Sequence, residues 1–315
     1  MKTDNNELYD FFKKFDYYSR ELESNHNNAK EFIDKAKKSG VEAYEAGVVD
    51  KYKDNPFMIE DLLLNDIKRI NNLKFDVNYS SLYLKTMHSE VYFLDSANIL
   101  ADELLIHTMI SFFIIVFSVN YNVSNLDNAT KAMELLLNKQ GAKHSISQLL
   151  TDYVSELSLR FSTDASHYTM DFFWCALAFI MAHELYHITE GVEKRGYSVE
   201  IAADTYGYKT LINLINNNFD HLDLNCIDVY SDKYYLAPTM LFEYYELQDW
   251  YNKAFYCQVR EYHDYPSPLE RKQNILSLFD EVIPDSMNTH IGNQLYSGFL
   301  DSIELIKGKL IHNKV

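Results

Sequence analysis

An apolar run that leads directly into two histidines constrains this chain more than any other part of its sequence. The run starts at Phe172, continues for eleven largely apolar residues and is followed by HELYH at positions 183–187. A helix this apolar is buried, so the polar groups on it need partners. His183 and His187 are four residues apart on that helix, which places both imidazoles on one face. The pair can bind one metal ion, and zinc suits such ligands.

Composition limits the setting of this motif. The 315 residues can bury a large core, and the chain has nine Gly and five Pro, with no Pro between Pro56 and Pro238; such a chain is mostly helical. The net charge of −17 repels phosphate backbones and anionic lipid head groups, so we expect no nucleic-acid partner. Three cysteines form no CxxC pair and the first twenty residues contain no apolar signal segment, which predicts a reducing, cytoplasmic location.

A second apolar segment, residues 104–119, raises the question of a membrane span. It is sixteen residues long, contains His107 and is preceded by Asp102 and Glu103 rather than by basic residues. A membrane-spanning helix needs about twenty apolar residues and a basic flank. The segment therefore predicts a buried core helix, and we expect no membrane partner.

Periodicity predicts a mainly α chain with one short β segment. Within residues 77–95, side chains alternate over residues 79–85 and a VYFL run follows at residues 91–94, which indicates two short strands in a hairpin or small sheet. We expect an N-terminal helical region over residues 1–100, which contains these strands and packs on a core over residues 101–315. Helical spacing covers residues 8–22, 29–38, 58–73, 104–119, 129–138, 146–160, 201–215 and 291–311, and the histidine helix starts at Asp171.

A catalytic zinc takes three protein ligands and leaves one position open. Glu200 and Asp204 lie one turn apart on a predicted second helix, for which Ser198 is a suitable N-cap. Glu200 can supply the third ligand, while Asp204 can accept the outward N–H of one histidine and fix its tautomer. Glu184 lies about 100° around the first helix from His183, beside the metal rather than on it, and is the expected general base for water.

Other interpretations of the same residues remain open. HExxH can mark a solvated helix face, a hydrogen-bonded histidine pair in a core, a structural zinc site or an inactive site. The buried helix and the following ExxxD pair favour a catalytic zinc peptidase. A donor to the substrate oxyanion would complete such a site, and Tyr265, His263 or Arg271 can each supply it from a segment with two prolines in front of a helix.

The combined motifs resemble the gluzincin metallopeptidases, and within them the phage-exclusion peptidases of the Lit type. The resemblance lies in FxCAxAxIxxHExxH at residues 173–187, in ExxAD at residues 200–204 and in Pro266 followed five residues later by Arg271. The family has THPxxxxR at the last motif, whereas Tyr265 stands here in place of its histidine. The similarity covers residues 172–215 and 262–276.

The resemblance implies a zincin-like core with zinc bound by His183, His187 and Glu200. It also implies a latent cytoplasmic protease that a phage product activates during infection and that stops translation by cleaving elongation factor Tu. A second class of function stands beside this one: a regulatory or interaction protein whose HExxH site senses zinc or is inactive. A regulatory protease that cleaves a repressor is a further alternative.

Overall fold

The chain is mostly helical with one small sheet. The structure is a computed structural model that describes residues 59–75, 77–82, 89–93, 97–121, 126–138, 163–190, 196–216, 233–284, 287 and 289–314. The strands are β1 (Val77–Leu82), β2 (Ser89–Phe93) and β3 (Ala97–Asp102). The helices are α1 (Ile59–Ile70), α2 (Glu103–Asn120), α3 (Leu126–Leu137), α4 (Thr163–Glu190), α5 (Tyr197–Asn216), α6 (Ala237–Tyr256), α7 (Pro268–Ser277), α8 (Phe279–Val282) and α9 (Thr289–His312).

The mainly α prediction is confirmed for the described residues. Helices α1, α2, α3, α5 and α9 lie where the periodicity predicts them, whereas the helices expected at residues 8–22, 29–38 and 146–160 lie outside the described residues. The histidine helix α4 starts at Thr163, eight residues before the predicted start at Asp171. No Gly or Pro occurs between Thr163 and Glu190, so no residue in this range prevents the helix from extending toward the N-terminus as far as Thr163.

The sheet differs from a simple hairpin. β1 and β2 fall in the segment predicted to be extended, but they do not pair with each other, because β3 lies between them in the order β1-β3-β2. β3 is parallel to β1 and antiparallel to β2. The predicted boundary near residue 100 falls inside β3, which continues directly into α2. The two-domain division stays a prediction.

Aromatic packing holds α4 in the centre of the fold. Phe117 of α2 lies with its ring 5.3 Å from those of Phe172 on α4 and Phe299 on α9. These three side chains are fully buried, and α2 is a core helix, as its apolar sequence predicts. Among the described residues, Asp171–Glu190 is long and apolar enough to cross a membrane, and 89% of that window is buried within the fold. Core helices of globular proteins pass the same test.

Helices α4 and α5 approach each other closely at Gly207. A Cβ at this position would lie 2.9 Å from the carbonyl oxygen of Phe179 and 3.2 Å from the backbone nitrogen of His183. Both neighbours are backbone atoms, which cannot move without moving α4 itself. Gly207 therefore sets the distance between the two helices at the level of the first histidine.

We expect Gly207→Ala to destabilise the protein by about 1–3 kcal/mol, because the added methyl group overpacks a backbone contact. Urea unfolding followed by circular dichroism measures this change. Gly308→Ala is the matched control, because a Cβ at Gly308 meets nothing within 4 Å; replacing a helical Gly there should stabilise the protein by up to about 1 kcal/mol. Equal effects of the two substitutions would contradict the close-approach role of Gly207.

Candidate metal centre

Three buried side chains meet where α4 contacts α5. The Nε2 atoms of His183 and His187 are 3.1 Å apart. Glu200 on α5 places Oε2 3.3 Å from Nε2 of His183 and Oε1 3.6 Å from Nε2 of His187. His183, His187 and Glu200 form a group that could hold a metal ion, as the sequence predicted. Their burial matters because a charged carboxylate and two imidazoles inside a protein need mutual contacts or an ion.

Local backbone geometry delivers Glu200 to this position. Gly196 has φ 119°, a conformation that favours glycine, and its carbonyl oxygen accepts hydrogen bonds from the backbone N–H groups of Val199 and Glu200. The predicted N-cap role of Ser198 is wrong, because Tyr197 is already helical and Ser198 lies inside the first turn. Glu200 therefore lies at the N-terminal end of α5, where the helix dipole stabilises its negative charge.

Asp204 lies one turn further along α5 and supports His183. Its Oδ1 is 2.9 Å from Nδ1 of His183. Because a carboxylate accepts hydrogen bonds, Nδ1 donates to Asp204, and Nε2 is the nitrogen that faces His187 and Glu200. This is the supporting contact that the sequence predicted for Asp204, and the structure assigns it to the first histidine.

Arg271 of α7 forms a second layer behind Asp204. Its Nε and Nη2 donate to the two carboxylate oxygens at 2.7 and 2.5 Å, and Nη2 lies 3.4 Å from Nδ1 of His183. The guanidinium also lies 4.9 Å above the ring of Phe242. Arg271, predicted as a candidate oxyanion donor, is thus engaged in a bidentate pair that holds Asp204.

The start of α7 explains how Arg271 reaches Asp204. Ser267 caps this helix by accepting from the backbone of Glu270, and the Glu270 side chain accepts in return from the Ser267 backbone. This capping box follows an S-x-x-E pattern with Pro268 at the first helical position, so it is readable in the sequence. It places Arg271 in the first turn of α7.

The charges of the group depend on one another. Burial alone would lower the pKa of His183, but hydrogen bonds to Asp204 and Glu200 outweigh burial and raise the pKa to about 9. Burial would raise the pKa of Asp204 and of Glu200, yet Arg271 and His183 hold the Asp204 pKa below its ordinary value, and His183 does the same for Glu200. The carboxylates are therefore ionised at neutral pH.

The three residues open onto a cleft with a volume of about 560 Å³. Glu184, predicted as the general base, is also buried and lines this cleft beside the two histidines. Ser89 of the edge strand β2 lies at the same cleft, together with the segment 260–266 that connects α6 and α7. The cleft therefore leads to the group that could hold a metal ion.

The other two predicted oxyanion donors line the cleft in different ways. His263 is mostly exposed, and its Nε2 forms a hydrogen bond of 2.7 Å with Oε2 of Glu261. Tyr265 is 44% exposed and lies next to the buried Pro266. His263 is therefore engaged with a neighbour, whereas Tyr265 presents a partly exposed ring at the cleft.

Sequence reasoning missed Tyr245. This residue of α6 lines the cleft, and burial raises its pKa to about 12 although Arg271 and Arg260 lower it. Its hydroxyl is therefore protonated at neutral pH and can donate a hydrogen bond. In the sequence it is one of 25 tyrosines in the chain, on an aromatic-rich helix, and no local pattern separates it from packing residues.

The assignment of roles rests on the site itself. No protein-family model, no curated protein and no solved structure matches the chain. What the geometry establishes is a buried group of two imidazoles and one carboxylate that could hold a metal ion. Asp204 and Arg271 support that group, and a cleft leads to it.

We expect Arg271→Gln to lower the free energy of unfolding by about 3–5 kcal/mol, because it leaves the fully buried Asp204 carboxylate without its cation. Urea denaturation measures the loss. Lys209→Gln is the control, since it removes an exposed ion pair of 2.7 Å with Glu281 and should cost less than about 1 kcal/mol. Similar losses in the two variants would show that the Arg271 pair is no more important than a surface pair.

Metal affinity should depend on pH through His183. In protein stripped by a chelator, the metal must displace a proton from a histidine whose pKa is about 9. Apparent zinc affinity should therefore rise about tenfold per pH unit between pH 7 and 9 and level off above that. The free energy of unfolding of the stripped protein should change in the opposite direction. The raised pKa of His183 contributes its full stabilisation below pH 6.5, and this contribution is lost as the pH rises through about 9.

Competition with a chromophoric chelator at each pH, corrected for the chelator's own protonation, measures this slope. Asp204→Asn is the informative comparison, because loss of the carboxylate should lower the His183 pKa and move the plateau to lower pH. A wild-type affinity that is flat between pH 7 and 9 would contradict the assignment.

Proposed function

We propose that this chain is a zinc-dependent endopeptidase of the gluzincin type. One observation carries the proposal: the separations of 3.1, 3.3 and 3.6 Å among the ligand atoms of His183, His187 and Glu200. Ligands about 2.1 Å from a zinc ion, at three corners of a tetrahedron, lie about 3.4 Å from one another. The donor set of two imidazoles and one carboxylate also fits zinc, and the cleft leaves room for a fourth ligand.

Zinc held by His183, His187 and Glu200 would supply a Lewis acid that can acidify water and polarise a carbonyl oxygen. Glu184 accepts the proton of the attacking water and transfers it to the nitrogen of the leaving amine. Asp204 and Arg271 keep the His183 ring in one orientation and one tautomer. These roles account for the buried charged residues at the contact of α4, α5 and α7.

We assign the oxyanion donor to Tyr265. Among the three candidates from the sequence, Arg271 is paired with Asp204 and His263 with Glu261, whereas Tyr265 lines the cleft with a partly exposed side chain. A phenol can donate a hydrogen bond to the negative charge that develops on the substrate oxygen. Tyr245 of α6, which also lines the cleft, can assist as a second protonated phenol.

The edge strand β2 offers a way to hold the substrate. β2 pairs with β3 on one side, lies at the end of the strand order and brings Ser89 to the cleft. An extended peptide can add to such an edge through main-chain hydrogen bonds. This arrangement would present a peptide bond to the metal centre independently of most side chains.

The resemblance to Lit-type peptidases extends the proposal to a biological setting. In that setting the protease is cytoplasmic, a phage product activates it, and its substrate is a translation factor such as elongation factor Tu. The substrate and the trigger rest on the shared motifs at residues 173–187, 200–204 and 266–271.

Mapping of new protein N-termini in bacterial cells tests the proposal. We expect wild-type protein, expressed with and without phage challenge, to generate a specific new N-terminus, and Glu184→Gln to generate none while it still binds one zinc per chain. Loss of a general base lowers kcat by about 10²–10⁴-fold. Glu190→Gln, the same exchange at the exposed end of α4, should behave as the wild type.

Two outcomes would contradict the proposal. Persisting cleavage in Glu184→Gln would remove Glu184 as the base. Wild-type and Glu184→Gln proteins that both bind zinc and both leave the cellular N-termini unchanged, with and without phage, would favour the regulatory alternative.

A further inference from the structure

Two arginines line the cleft, and their surroundings differ. Arg271 is held by both oxygens of Asp204 and belongs to the metal centre. Arg260, in the segment between α6 and α7, is exposed and forms no ion pair with a carboxylate in the part of the chain that the structure describes. The neighbouring acid, Glu261, is paired with His263. Arg260 is therefore a cation at the cleft whose charge no described carboxylate neutralises.

The side chain of Tyr262 positions Arg260. Its guanidinium lies 5.0 Å from the centre of the Tyr262 ring, and the Tyr262 hydroxyl donates to Oδ2 of Asp249 on α6 at 2.6 Å. Tyr262 is half-buried, so the ring does not turn freely. Arg260 also donates a hydrogen bond to the Tyr262 hydroxyl. A guanidinium carries five N–H donors, so further N–H groups along its edge can bind a planar acceptor. A carboxylate is the acceptor that such an edge matches best.

Arg260 also lines the same cleft as the metal-binding group. Its positive charge lowers the pKa of Tyr245, which Arg271 lowers as well, so Tyr245 lies within the fields of both arginines. Arg271 in turn lies 3.4 Å from the His183 ring. Arg260, Tyr245 and Arg271 thus line one cleft that ends at the metal-binding group. A substrate whose scissile bond reaches His183 and Glu200 would therefore lie in the same cleft as Arg260.

We propose that Arg260 binds a carboxylate of the peptide substrate and so determines specificity, selecting an acidic residue near the scissile bond. This inference rests on the proposed peptidase function and adds the chemical class of its substrate. The carboxylate can come from an Asp or Glu side chain, or from the free C-terminus of a peptide. A basic side chain is disfavoured, because Arg260 repels it and the nearby Glu261 is already paired.

A peptide library tests the proposal with zinc-loaded, full-length protein. The library is a digest of a bacterial proteome, supplied once with free C-termini and once with amidated C-termini, and the products are identified by mass spectrometry. We expect Asp and Glu to be enriched at one position relative to the cleaved bond in both libraries. Cleavage at a fixed distance from the free C-terminus that is lost after amidation would identify the C-terminal carboxylate as the bound group and would equally support the role of Arg260.

Variants separate specificity from general damage. Arg260→Glu should lower kcat/KM for an acidic peptide by about tenfold or more and shift the preference at the same position toward Lys and Arg. Arg260→Lys should retain the acidic preference in weaker form. Lys253→Glu, an exposed residue of α6 outside the cleft, makes the same change in net charge and should leave the preference unaltered.

A binding measurement makes the test independent of turnover. Fluorescence anisotropy measures the affinity of a labelled acidic peptide for the Glu184→Gln protein. The double variant Glu184→Gln/Arg260→Glu should bind this peptide about tenfold more weakly. In the double variant, a peptide whose acidic residue is replaced by its amide should bind about as well as the acidic peptide.

The outcomes distinguish the two proposals. Cleavage that shows neither acidic enrichment nor dependence on a free C-terminus, or a preference that survives Arg260→Glu, overturns the role of Arg260 and leaves the peptidase function standing. Absence of any cleavage, together with unchanged N-termini in cells, overturns the peptidase function and the specificity proposal with it.

Discussion

The buried carboxylate of Asp204 is the constraint on which the rest of the site depends. It accepts hydrogen bonds from His183 on α4 and from Arg271 on α7, while it is itself carried by α5. One side chain therefore ties three helices together at the metal-binding group. Because an ionised carboxylate is costly to bury alone, each partner that satisfies it also fixes the position of a helix. The hydrogen bonds of Asp204 therefore both stabilise the packing of the three helices and orient the His183 imidazole.

Helix spacing makes that contact possible. Gly207 lets α5 approach the backbone of α4 at the level of His183, one turn after Asp204 on the same helix. Nearer its N-terminus, α4 packs through Phe172 against the rings of Phe113 and Phe117 of α2. Close packing of α4 against α5 places Glu200 within 3.3–3.6 Å of two imidazoles, a separation that a single bound ion can span.

In the proposed peptidase, substrate recognition and chemistry would be carried by different parts of the cleft. The candidate metal ligands and Glu184 lie on α4 and α5, whereas Arg260, Tyr262 and Tyr265 lie on the connection between α6 and α7. Helices keep side chains in fixed positions, and a connecting segment can change its side chains without disturbing them. The capping box at Ser267 joins the two parts, because it starts the helix that carries Arg271 directly after this connection.

The sequence by itself determined what depends on helical periodicity. The four-residue spacing places His183 beside His187 and Glu200 on the same helix as Asp204, because the repeat of an α-helix is local and needs no other part of the chain. Tertiary structure alone decided that Asp204 serves His183, that Arg271 is bound to Asp204, and that β3 separates β1 from β2. It also decided that Tyr245 and Arg260 face the cleft. These features join residues up to 88 positions apart, and no local pattern encodes which distant surfaces will meet when the core packs.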